Sequence, residues 1–238
     1  MRARPARGPP LRHTLVASLA LLSACNVVVT KAPLFTQADA AGAPTLRPGV
    51  WMFFKDPDCQ VDESKPFTQW PDCVGGGLVT PAGVEAHKGG APPGALEQTP
   101  IVLAAGEPRI LQAQVDVDLS VNASATTSGD ATATTSSNSS ESKPYGYGAV
   151  RPTRFDSAGR ITAFIIWPVQ CGPPPPKNAK GEDVAPATLK PLPGIILKKG
   201  DLVCTTTSVA ALRGAAKASE AWAPQPPRES HWVRDAQQ

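Results

Sequence analysis

Twenty-seven prolines and 20 glycines among 238 residues constrain this chain more than any motif it carries. Proline removes a backbone donor and clashes in helix interiors and central strands, so long helices are hard to build here. Aromatic residues are only 5% of the chain, which leaves little for a large core. These limits predict a mainly β fold: an antiparallel sheet, or a small barrel or sandwich, with one short C-terminal helix and long Pro/Gly/Ser-rich loops. The clearest strand signal runs over residues 111–121. There Leu111, Ala113, Val115, Val117, Leu119 and Val121 alternate with Gln112, Gln114, Asp116, Asp118 and Ser120. Period-two alternation predicts a half-buried antiparallel strand with one solvated face.

Other elements follow from the same kind of signal. An apolar run from Gly49 to Phe54 opens the folded part as a strand. Residues 147–155 and 160–169 flank Asp156-Ser157-Ala158-Gly159, whose first and last residues suit a type I turn closing a hairpin. Pro168 argues against a central position for the end of the second strand. Residues 193–208 read as another hairpin. Ser208 is placed to cap a helix over 209–221, with Val209, Leu212, Ala215 and Ala216 toward the sheet. His231-Trp232-Val233-Arg234 supplies a last strand. Residues 122–142 are a low-complexity Ser/Thr/Ala insert with too few apolar groups to offset ordering entropy.

The first 24 residues are of another kind. Four arginines precede an apolar run, and Leu22-Ser23-Ala24-Cys25 closes it. Basic start, short apolar stretch and small residues are the layout of a secretory signal peptide. The apolar run is too short for a membrane span, which takes about 20 residues. Leu22 to Cys25 resembles the lipobox of bacterial lipoproteins. That resemblance implies cleavage before Cys25, a diacylglyceryl group on its sulfur, and a membrane as partner through the lipid. Asn26, standing where an aspartate would favour inner-membrane retention, points to the outer membrane, facing the periplasm. The expected organisation is a signal peptide over 1–24, a lipid-anchored tether over 25–46, and one β-rich domain over 47–238.

Charge and cysteine usage fit export. Four of the 23 Lys and Arg residues belong to the signal, leaving 19 against 20 Asp and Glu. A near-neutral chain without a basic cluster has no electrostatic footprint for nucleic acid. Beyond Cys25 there are four cysteines: Cys59, Cys73, Cys171 and Cys204. Three pairings are possible, of which Cys59–Cys73 with Cys171–Cys204 is favoured, the first closing a short local loop. No CxxC spacing and only His87 and His231 beyond the signal argue against a zinc site.

Chemistry is scarce. GxSxG, HExxH, SxxK, Rossmann and P-loop patterns are absent, and Gly75-Gly76-Gly77 lacks the GK[ST] continuation. Asp116 and Asp118 would share a strand face, but solvated strand faces commonly carry such pairs. His87 and His231 sit beside Gly- and Pro-rich segments and read as exposed loop residues. No catalytic residue, metal or cofactor is expected. Gly49-Val50-Trp51 resembles the G-x-W that opens lipocalins and the small barrel inhibitors of bacterial metalloproteases. The first expectation is a non-catalytic envelope lipoprotein with a structural role or a binding role toward an envelope protein. The alternative, which that resemblance implies, is a small barrel that binds an apolar ligand or a protease; its lumen is expected to be lined by Trp51, Val117 and Trp167.

Overall fold

In a computed structural model of the chain, the described residues are 26–87, 96–115, 143–174, 190–197, 203–224 and 227–236. Ten strands and one helix follow in order: β1 (Val29–Thr30), β2 (Gly49–Lys55), β3 (Val74–Thr80), β4 (Gly83–His87), β5 (Leu96–Thr99) and β6 (Ile101–Ala104). Then come β7 (Arg109–Gln114), β8 (Tyr145–Phe155), β9 (Ile161–Pro168), α1 (Val209–Ser219) and β10 (Glu229–Arg234). All named strand pairs are antiparallel, in the order β5-β4-β3-β2-β10-β9-β8-β7-β6, with β1 added beside the start of β8. The two outermost strands are one stretch of chain. β5 and β6 are separated only by Pro100; the first half pairs with β4 and the second with β7. Counting them as one strand gives a nearly closed, eight-stranded up-and-down barrel in which β10 meets β2. Proline at that junction is permitted because the chain there changes partners and needs no donor.

Alternation puts one set of apolar residues inside. Trp51, Val79, Val150, Ile161 and Phe164 form the buried interior cluster, joined by Phe53, Val84, Leu103, Leu111, Ile166 and Trp232. An eight-stranded barrel is just wide enough for side chains to fill it or to hold one small ligand. Outside the wall lie two further clusters. Val50, Met52 and Val74 are covered by Cys59, Phe67 and Trp70 of the loop that the Cys59–Cys73 bridge ties at its base. Ala104, Ile110, Tyr147, Ala149 and Trp167 are covered by Val28, Phe35 and the Leu212, Ala215, Ala216 face of α1. Ser208 caps that helix, its hydroxyl accepting from Ala211 N at 3.2 Å. Val209, expected on the sheet side, is 37% exposed.

The segment read as a tether is part of the fold. Asn26 to Thr30 is buried or half-buried, Phe35 is 2% exposed, and Leu46 bridges to Ile161. What holds the segment is the face of β7 expected to meet solvent. Gln112 is buried; its Oε1 accepts from Leu34 N and Phe35 N, and its Nε2 donates to Phe35 O. Three hydrogen bonds satisfy the amide and hide the strand's polar face from water. The long strand of 111–121 is described as β7 to Gln114, with Val115 N bonding to Pro144 O; Asp116, Val117 and Asp118 lie outside the described residues. β9 is central despite Pro168, which occupies its last position. The 193–208 hairpin is represented by one bridge, Ile196 to Thr205, and residues 198–202 lie outside the described set.

Both favoured disulfides are present. Cys59–Cys73 and Cys171–Cys204 have Cα–Cα separations of 5.8 and 5.9 Å.

Candidate functional site

The two ends of the barrel differ. At one end the connections are short: residues 81–82, 105–108 and 156–160. This end is sealed. Trp51 is fully buried, its Nε1 donates to Arg47 O at 2.8 Å, and its ring packs 5.4 Å from that of Phe164. Arg47 N and Ile161 N bond across to Ile161 O and Thr45 O. The Arg47 guanidinium lies 3.6 Å over the Trp232 ring and pairs with Asp235. The glycine of the G-x-W triplet has a local reason. Gly49 has φ +131°, and a Cβ there would meet Arg234 O at 2.4 Å.

Every connection at the other end is long: 56–73, 88–95, 115–144 and 169–228. Inward residues here, Phe53, Leu111 and Ile166, belong to the interior cluster and are partly buried, as are Val84, Leu103 and Trp232 toward the sealed end. Register puts Ala113 and Ile101 on the same inner face, opposite Gly146, and Val115 lies against Gly146. Several of these side chains lie back on glycines of the adjacent strand. A Cβ at Gly77 would come within 2.8 Å of the Phe53 ring, and one at Gly148 within 2.7 Å of Ile166. This end is a mouth: a partly exposed apolar inner wall at the end where the four long connections leave and rejoin the strands.

The three lumen residues expected from sequence are not brought together. Trp51 is inside, at the sealed end. Trp167 is on the outer face, buried under α1, its Nε1 donating to Ala216 O at 2.9 Å. The error has a plain cause: Phe164 and Ile166 on β9 alternate with Trp167, and both faces of that strand are covered. Val117 lies outside the described residues. Phe53, Ile101, Leu111, Ala113, Val115 and Ile166 take their place at the mouth. A signal for them existed in the alternate glycines Gly75/Gly77 and Gly146/Gly148, where bulky neighbours need room.

Neither histidine sits in a loop. His231 is on β10, opposite Met52 and Ala163 and half-buried on the outer face; His87 ends β4. Three interstrand spacings separate β10 from β4, about 14 Å at the usual 4.8 Å each. They do not form a dyad. All four cysteines of the described chain are bridged, and among the described residues no group of three or more His, Cys, Asp or Glu is placed to hold a metal. Tyr147 is the one buried phenol beneath the N-terminal segment; burial pushes its pKa up against the hydrogen bond it shares with the Thr30 hydroxyl. Cys25 lies outside the described residues.

The class these features define is an eight-stranded up-and-down barrel with two external covers and one open end. No protein-family model, curated protein or solved structure matches the chain.

Proposed function

We propose that this is an exported, lipid-anchored, non-catalytic barrel that takes a small apolar ligand through its mouth. One observation carries the binding half: apolar inward side chains that are only partly buried, Phe53 and Ile166 among them, lie toward the end where all four long connections join the wall. A rigid wall with variable loops at one end is the usual way a barrel scaffold carries recognition. The side chains that lie back on Gly77 and Gly148 give this end an apolar lining that suits an acyl or similarly narrow group. Support for export and anchoring comes from the basic start, Leu22 to Cys25, and two disulfides, which persist in oxidising compartments.

The test is titration of the purified protein with a fluorescent fatty-acid analogue. Saturable binding by the native protein is expected, and Ala113→Phe, which fills the mouth, weakens it at least tenfold, about 1.4 kcal/mol. An unchanged urea midpoint in that variant separates blocking from misfolding. Failure of the native protein to bind any apolar probe overturns this reading in favour of a filled, structural barrel. Intact mass of membrane-purified protein checks the lipid, and Cys25→Ser abolishes membrane partition.

A further inference from the structure

The chain that follows Cys25 has no slack. Asn26 is 8% exposed; its O accepts from Cys171 N at 2.8 Å and its Nδ2 donates to Gly172 O at 2.7 Å. Val28 N bonds to Val169 O, Cys204 N to Val27 O, and Val29 N to Cys204 O. The segment is therefore hydrogen-bonded to both cysteines of the Cys171–Cys204 bridge, which staples it in place. Its location matters as much as its rigidity. Residues 169–172 continue directly from Pro168, the mouth-end residue of β9, and β1 pairs with Gly146 and Tyr145 at the mouth end of β8. The N-terminal segment thus joins the barrel beside its mouth, and the sealed end is a barrel length away. Successive Cα atoms are about 3.8 Å apart, so any group on Cys25 is held within one residue of that rim.

We infer that the anchored protein stands mouth-down on its membrane, and that the ligand it takes is an acyl chain drawn from that bilayer. This rests on the lipid-anchor and mouth readings proposed above. A tether of some twenty residues would have let the barrel tumble; its incorporation into the fold fixes the open end at the lipid surface. The inner wall there, with Phe53, Leu111, Ala113, Val115 and Ile166, is apolar, which suits a hydrocarbon chain. Glu97, inward by register at the rim, is engaged by Lys143 at 2.5 Å, so the one inward carboxylate among the described residues of the wall is paired.

The experiment places acylated protein in vesicles of a phosphatidylcholine with a diazirine on one acyl chain, and maps crosslinks by mass spectrometry. Crosslinks are expected on the inner-wall residues of β7 and β9. A twelve-residue Gly/Ser insertion between Cys25 and Asn26, with a root-mean-square span of about 20 Å, reduces them at least fivefold. Crosslinks on residues 81–82 or 156–160, or a yield unaffected by the insertion, overturn the orientation. The soluble Cys25→Ser protein offered a diazirine fatty acid is the second arm. Labelling of the same peptides there keeps the mouth reading whatever the vesicles show, and its absence overturns that reading. A native protein whose mass lacks the lipid overturns the anchor and with it the orientation.

Discussion

At the sealed end of the barrel, strands turn within residues 81–82, 105–108 and 156–160, and Trp51 and Ile161 have no contact with water. Toward the mouth, where four long connections join the strands, inward residues of the same chemistry, Phe53, Leu111 and Ile166, are only partly buried. The wall is common to both ends, so the difference lies in what closes it. Short turns let Arg47, Trp232 and Leu46 cover one opening; among the described residues, the loop 56–73 and α1 cover the wall's exterior instead. Burial is complete at Trp51 and Ile161, and apolar residues nearer the mouth keep part of their surface.

That division can be tested by mutation, and the largest effect is expected at the sealed end. Trp51→Ala removes a fully buried ring and its hydrogen bond, with an expected loss of about 3–5 kcal/mol measured as a drop in the urea midpoint. Ile166→Ala at the mouth removes less buried surface and is expected to cost clearly less than the 2–5 kcal/mol of a fully buried site. Equal losses at the two positions would abolish the distinction. Next comes the bridge of the loop 56–73. Cys59→Ser with Cys73→Ser costs about 3 kcal/mol in the chain-entropy model, and the retained far-ultraviolet dichroism of the barrel shows that only the cover has loosened. Gly49→Ala forces a side chain to positive φ against Arg234 O, an expected loss of about 1–3 kcal/mol by denaturant titration.

The smallest effect is a dependence on acid. Burial pulls the Asp156 carboxyl upward, but hydrogen bonds from the Arg160 and Ala158 amides and the Arg160 guanidinium outweigh it and hold its pKa below the ordinary value. In the mouth-end loop, the hydroxyl and amide of Ser64 do the same for Asp62. A depressed folded-state pKa adds stability above the unfolded value, about 3.9, and that contribution is lost as pH falls through the folded one. The urea midpoint should therefore decline modestly below about pH 4. Asp156→Asn should flatten the decline more than Asp62→Asn, because Asp156 organises a wall hairpin and Asp62 only an external loop.

Much of this architecture was legible beforehand. Proline and glycine content excluded a helical fold, Asp156 to Gly159 marked the central hairpin, Ser208 marked the helix start, and the cysteine spacing favoured both bridges. Each of those is a local rule, acting over a few residues or one loop. The misread parts depended on distant neighbours. Gln112 reads as a solvated residue until Phe35, 77 positions earlier in the chain, lays its backbone against it. Trp167 reads as a lumen residue until α1 arrives on the other side of β9. Residues 26–46 lack periodicity because their polar backbone groups are mostly satisfied one by one, by Gln112, Val169, Cys171 and Cys204, with only the two-residue β1 forming a ladder.

The sequence by itself determined that this chain is β-rich and stapled twice, because backbone restriction, side-chain alternation and loop closure are written in adjacent residues. Only the tertiary structure decided which face of each strand is inside, that the barrel is open at one end, and that the chain after Cys25 runs straight into the rim of that opening. Those features come from closing a sheet on itself, where each strand's environment is set by segments tens of residues away.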